Sequence, residues 1–174
     1  MRSTNSVQTQ CRFIVPLLFV IGLCVAAASA IEGAPRSELV QQESPAATLE
    51  GTWRVEITLV NCQTGEQLRD PFPALATFAR GGTVTTSDGG LSPTVRGAGH
   101  GDWWRTQGRT FAAIAEAFLF TPTGALSGRQ RLVQQIELDA GGMDFEATVS
   151  STILNTFGQV VAVGCARSVG RRLD

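Results

Sequence analysis

Thr52-Trp53-Arg54-Val55-Glu56-Ile57-Thr58-Leu59-Val60-Asn61, followed at once by Cys62, decides how the rest of the chain is read. Trp53, Val55, Ile57 and Leu59 alternate with Arg54, Glu56, Thr58 and Val60. That is the two-residue period of a strand with one face on a core. Further segments of the same kind follow, punctuated by turn residues. Strands are expected over 74–80, 83–87, 102–106, 109–121, 126–139, 143–154 and 159–173. Gly81-Gly82, Gln107-Gly108 and Thr123-Gly124 serve as two-residue hairpin turns. The run from Ala112 to Ala117 has helix propensity, but Phe118-Leu119-Phe120 and the flanking turns place it in a strand. Eight consecutive antiparallel strands with no helix to cover a face predict an all-β, up-and-down barrel closed by pairing of its first and last strands. A two-sheet sandwich is the alternative, although its crossings need longer connections than most of these.

Upstream, the chain has a different character. Residues 1–12 are polar and carry Arg2 and Arg12, Phe13 to Ala28 is almost wholly apolar, and Ala28-Ser29-Ala30 ends the stretch. This is the build of a secretory signal peptide cleaved after Ala30. A retained membrane anchor is the alternative, and the apolar run sits at the short edge of what a spanning helix needs. Residues 31–48, with Pro35, Pro45 and no apolar periodicity, read as a flexible leader, which leaves 49–174 as the folded domain.

Cleavage removes Cys11 and Cys24, so Cys62 and Cys165 are expected to pair in an oxidising, extracytoplasmic compartment. Their bond would bring strands one and eight together, as a closed barrel requires. With Cys62 opposite Cys165, Glu56 faces Arg171 and Val60 faces Arg167. Two thiols and one histidine do not make a zinc site.

The 174 residues carry a formal charge of −1, and all 14 basic residues are arginine. Hydrophobic residues make up 43% and charged residues 17%, which excludes a disordered charged chain. Near-zero net charge gives no electrostatic reason to bind nucleic acid. After cleavage no membrane association and a monomer are expected, with no cofactor implied by any motif.

The hairpin at Thr123-Gly124 sets Ile114 opposite Val133, Glu116 opposite Arg131 and Phe118 opposite Arg129. The other face, taken as interior, carries Phe111, Ala113, Ala115 and Ala117 across from Gln130, Leu132 and Gln134. The same rule at Gln107-Gly108 puts Trp104 inside beside Phe111. Phe145, Ala147 and Val149 point inward from strand seven, and Val160, Ala162, Gly164 and Ala166 from strand eight. An eight-stranded barrel either fills itself with side chains or holds one small ligand. So many Ala and Gly inside favour the ligand. The expected lining is Trp104, Phe111, Ala113, Ala115 and Ala117 with Gln130, Leu132, Gln134, Phe145 and Val149. The alternative has the large aromatics filling the space left by small neighbours.

Gly51-Thr52-Trp53 at the start of the first strand resembles the Gly-x-Trp signature of lipocalins and related calycin barrels. The chain also resembles uncharacterised secreted bacterial β-barrel proteins sharing that start, an Asn-Cys such as Asn61-Cys62, and a late Gly-Cys-Ala such as Gly164-Cys165-Ala166. The lipocalin resemblance implies that Trp53 closes the barrel floor with an arginine from near the chain end, Arg171 being the expected partner beside Arg167 and Arg172. It also implies binding of a small lipophilic molecule. The chain departs from that family in having no Tyr.

Three catalytic readings are weak on the residues. His100, in Gly99-His100-Gly101-Asp102, is the only histidine, and a catalytic reading makes it a general base oriented by Asp102. No Gly-x-Ser-x-Gly supplies a nucleophile for it. No Gly-Lys-Ser/Thr follows the glycines of 88–101, so they do not read as a phosphate cradle. Glu116, Asp144 and Glu146 read as solvated strand residues rather than a glycosidase pair. The expected function is therefore non-catalytic binding of an apolar or amphipathic small molecule. A packed barrel serving as an interaction module is the alternative, and a barrel isomerase or cyclase using His100 ranks after it.

Overall fold

The computed structural model describes residues 47–173. The expected signal peptide and the leader up to residue 46 lie outside them. Eight strands follow one another: β1 (Gly51–Val60), β2 (Phe72–Phe78), β3 (Thr83–Asp88), β4 (Arg96–Gln107), β5 (Thr110–Phe120), β6 (Leu126–Leu138), β7 (Asp144–Asn155) and β8 (Val160–Arg172). Each pairs antiparallel with the next and β8 returns to β1, closing an up-and-down barrel. The β5–β6 hairpin has the expected register, with Ile114 on Val133, Glu116 on Arg131 and Phe118 on Arg129. Its alternation buries Phe111, Ala113, Ala115 and Ala117.

Cys62 and Cys165 are bonded, their Cα atoms 5.2 Å apart. The seam differs from expectation by two residues: Val60, not Cys62, faces Cys165, and Glu56 faces Val169. The reason is local. β1 ends at Val60, and Cys62 lies in a turn organised by Asn61, whose Oδ1 accepts from the Gln63 amide at 2.8 Å. A shift of two keeps every side chain on its face, so the seam's inside and outside survive.

The β4–β5 hairpin differs by one residue, and there the faces invert. Gln107 pairs with Thr110, and an irregularity before it sets Arg105 on Phe111 and Trp104 on Ala112. Trp104 therefore points outward, 45% exposed, while Trp103 points inward. Trp103 packs on Phe111 and Phe78, with ring centroids 5.8 and 5.9 Å apart, and its Nε1 donates to the Ala79 carbonyl. Val160, expected to point inward, departs as well. An irregularity between Ile153 and Leu154 pairs it with Leu154, and it is exposed.

β4 starts six residues earlier than expected, so the second half of the glycine-rich stretch, 96–101, is strand. A Cβ on Gly101 would lie 1.8 Å from the Ile114 carbonyl oxygen, and one on Gly99 would lie 2.5 Å from Thr86 Oγ1. These glycines are strand positions where neighbours approach closely, a role that reads in sequence like a loop.

One end of the barrel is sealed. Trp53 is fully buried, meets Phe145 edge-on with centroids 5.0 Å apart, and donates from Nε1 to the Leu49 carbonyl. The arginine across its ring is Arg172, with Cζ 4.4 Å from the centroid. Arg172 donates to the carbonyls of Gly142 (2.9 Å), Thr48 (2.7 Å) and Glu50. Arg171, the expected partner, lies on the outer face opposite Arg54 and Asp144, because alternate residues of β8 point in and Trp53 pairs with Arg172. Gly51 has φ +127°, and a Cβ there would sit 2.5 Å from Arg172 Nη1, so the glycine clears the guanidinium's path. Arg105 repeats the device, its Cζ 4.6 Å from the Phe111 centroid and its Nη2 donating to the Ala47 carbonyl. Residues 47 and 48, expected in the leader, are thus bound into the floor.

Candidate functional site

Exposure along the inward-facing side chains rises from the floor to the other end. On β1 Trp53 and Val55 are buried, while Ile57 and Leu59 are half-buried; on β8 Ser168 and Ala166 are buried, Gly164 is half-buried and Ala162 exposed. The lumen therefore opens to solvent where β1, β3, β5 and β7 end. Within it lies a cavity of about 260 Å³. At about 30 Å³ per water in the liquid, that is room for roughly nine waters or a molecule of similar volume.

The wall is mostly apolar and one-sided. Val55, Ile57 and Leu59 of β1, Ala74 and Ala76 of β2, and Leu132 of β6 supply much of it. Of the expected lining, Gln130, Leu132, Gln134, Phe145 and Val149 border the cavity. Phe111, Ala113, Ala115 and Ala117 face inward and are buried, but they do not reach it. They belong to the side where Gly99 and Gly101 let β4 and β5 pack closely and where Trp103 covers Phe111. Trp104 is on the other side of the sheet altogether.

A polar node interrupts the apolar wall, and the sequence reading missed its centre. The Arg96 side chain is only 4% exposed, and its Nη1 stands 2.7 Å from Asp88 Oδ2. Nη1 also donates to the Gly97 carbonyl, and Nε donates to Gln130 Oε1 at 2.7 Å. Gln130 passes the chain on, its Nε2 donating to Ser151 Oγ at 2.8 Å. The second Asp88 oxygen accepts from the Gly90 amide. A paired and hydrogen-bonded charge is the form in which an arginine is tolerated inside.

A β-bulge puts Arg96 there. Gly99, Gly101 and Trp103 give β4 an odd-numbered inner face, on which Arg96 would point out. The irregularity between Arg96 and Gly99 sets Arg96 opposite Leu119, an inward position of β5, and turns the guanidinium into the lumen. Bulges re-aim side chains in this way beside functional sites. The available signal was an acid, Asp88, eight residues before an arginine across a glycine-rich connection; the bulge itself left no mark.

His100 stands on the outer face between Thr85 and Glu116, so it does not reach the lumen. Glu116 is engaged with Arg129 at 3.3 Å and Arg131 at 3.9 Å, all three partly exposed. A groove of about 530 Å³ crosses the outer face of β6, β7 and β8, edged by Gln135, Glu137, Glu146 and Arg167. No cluster of His, Cys, Asp and Glu able to hold a metal ion occurs among the described residues. No helix among them is long and apolar enough to cross a membrane. No protein-family model matches the chain, and no curated protein matches it in sequence.

Proposed function

We propose that this chain is a secreted, monomeric barrel that holds a small apolar or amphipathic molecule in its lumen without transforming it. The observation that carries this reading is the cavity of about 260 Å³, apolar over most of its wall and open at one end. Pockets of this character, with a few placed polar groups, are what small-molecule sites are built from. The Cys62–Cys165 bond supports an oxidising destination. The arginine-over-tryptophan floor behind Gly51 supports the proposed kinship with calycin barrels.

Native mass spectrometry of the purified mature protein, followed by titration with medium-chain lipophiles, tests the reading. A co-purifying small molecule, or a one-to-one adduct lost when Gly164 is replaced by Leu to fill the lumen, is the expected result. No adduct with any lipophile, together with an unchanged melting temperature across the series, would overturn it.

A second reading, an interaction module, draws on the open end. Phe157 (87% exposed), Val163 (74%) and Phe118 (61%) leave apolar surface uncovered there. Pull-down by a partner that leaves the lumen accessible to lipophiles would favour that reading over the first.

A further inference from the structure

With the lumen taken as the binding site proposed above, the polar node is the place on its wall where a guest's head group would meet charge and hydrogen-bond donors. Arg96 uses Nη1 and Nε on Asp88, Gly97 and Gln130, but Nη2 donates to nothing among the described residues. On the adjoining strand Thr86 Oγ1 is shut off from solvent and has no hydrogen-bond partner. Thr86 pairs with Gly99, three residues from Arg96, and both Thr86 and Arg96 border the cavity. The Thr86 hydroxyl is closed off against Gly99 and out of a guest's reach, which leaves Arg96 Nη2 as the unengaged donor on the cavity wall.

Charge decides which oxygen. The Arg96 guanidinium is already neutralised by Asp88 at 2.7 Å, and both Asp88 oxygens are engaged. A carboxylate or phosphate head would set a second negative charge beside Asp88 in a poorly solvated wall, where like charges repel strongly. An uncharged carbonyl or hydroxyl oxygen meets the free Nη2 donor without that repulsion. We propose that the guest is an uncharged medium-chain amphiphile, a ketone, aldehyde, ester or alcohol. Its oxygen accepts from Arg96 Nη2, and its hydrocarbon lies against Ile57, Leu132 and Val149. A guest of about nine non-hydrogen atoms matches the volume.

The test compares four probes of matched chain on the full mature protein at pH 7: 2-octanone, 1-octanol, octane and octanoate. By calorimetric titration, octanone and octanol are expected to bind about tenfold or more tightly than either octane or octanoate. Octanoate binding as well as octanone would overturn the inference and leave the lumen standing. Octane binding as well as octanone would do the same. Failure of all four to bind would remove the lumen reading and this inference with it.

Two variants sharpen the test. Asp88→Asn exposes the Arg96 charge and is expected to raise octanoate affinity about tenfold while octane stays unchanged; no gain for octanoate in the folded variant would count against the charge argument. Arg96→Met keeps the length and removes the donor, so it remains informative if Asp88→Asn does not fold. It is expected to narrow the octanone-to-octane affinity ratio, and an unchanged ratio in the folded variant would overturn the assignment of Arg96 as the head-group donor.

Discussion

Arg171 and Arg172 are neighbours of identical chemistry with opposite duties. Arg172 lies over Trp53 and donates to three carbonyls, tying Thr48, Glu50 and Gly142 together. Arg171 faces Arg54 on the outer surface. A cation–π contact contributes about 0.5–2 kcal/mol and each net hydrogen bond about 1 kcal/mol. Arg172→Ala is therefore expected to lower unfolding free energy by about 3–5 kcal/mol, and Arg171→Ala to change it by less than about 0.5 kcal/mol. Urea denaturation of the two variants measures the contrast, and equal losses would contradict the floor assignment. Asp139 gives a pH signature at the same scale. Its carboxylate accepts from the amides of Asp144 (3.0 Å), Met143 (2.8 Å) and Gly141 (3.0 Å) in the β6–β7 turn. The Asp144 amide foremost holds its pKa below the ordinary value. A carboxylate depressed in the folded state stabilises fully above its unfolded pKa, about 3.9, and stops doing so as pH falls through the folded one. The melting-temperature gap between the parent and Asp139→Ala is expected to be constant near neutrality and to shrink below about pH 4. A gap that widened on acidification would reverse the sign.

At the scale of elements, two irregularities in one strand explain the departures that matter. A single-residue slip near Gln107 exchanges Trp103 for Trp104, and a bulge after Arg96 turns a charged residue inward. Neither irregularity has a sequence signature, because both satisfy backbone hydrogen bonding by small local changes that many residues tolerate. The β5–β6 hairpin was legible because its tight turn and its acid–base and apolar pairs agree on one register. Glycines divide the same way. Gly101 is hemmed in by the Ile114 carbonyl, whereas a Cβ on Gly164 would meet nothing within 4 Å. Gly101→Ala is expected to cost about 2–4 kcal/mol through displaced backbone, and Gly164→Ala less than about 1 kcal/mol. Thermal unfolding of both variants checks this; tolerance at Gly101 would mean that β4 and β5 do not approach as closely as described.

For the whole molecule, closure is the controlling event. The first and last strands meet, and the bond from Cys62 to Cys165 spans 103 residues of sequence. In the chain-entropy treatment a loop of that size is worth about 4–5 kcal/mol. The double variant Cys62→Ser with Cys165→Ser is expected to lose about that much in urea denaturation while keeping its β-sheet circular dichroism. Loss of the sheet signal in native buffer would mean the bond is needed for folding and not only for stability. The sequence by itself determined the strand count, the cyclic order, the cysteine pairing and the faces of β5 to β7, since each follows from period-two alternation, turn spacing or cysteine arithmetic local to the chain. Only the tertiary structure decided that the cavity leans away from β5, that Arg172 rather than Arg171 crosses Trp53, and that Arg96 meets Asp88 inside. Those outcomes depend on one- and two-residue offsets between strands distant in sequence. Such offsets are selected by the close packing of the finished barrel and leave no local pattern behind them.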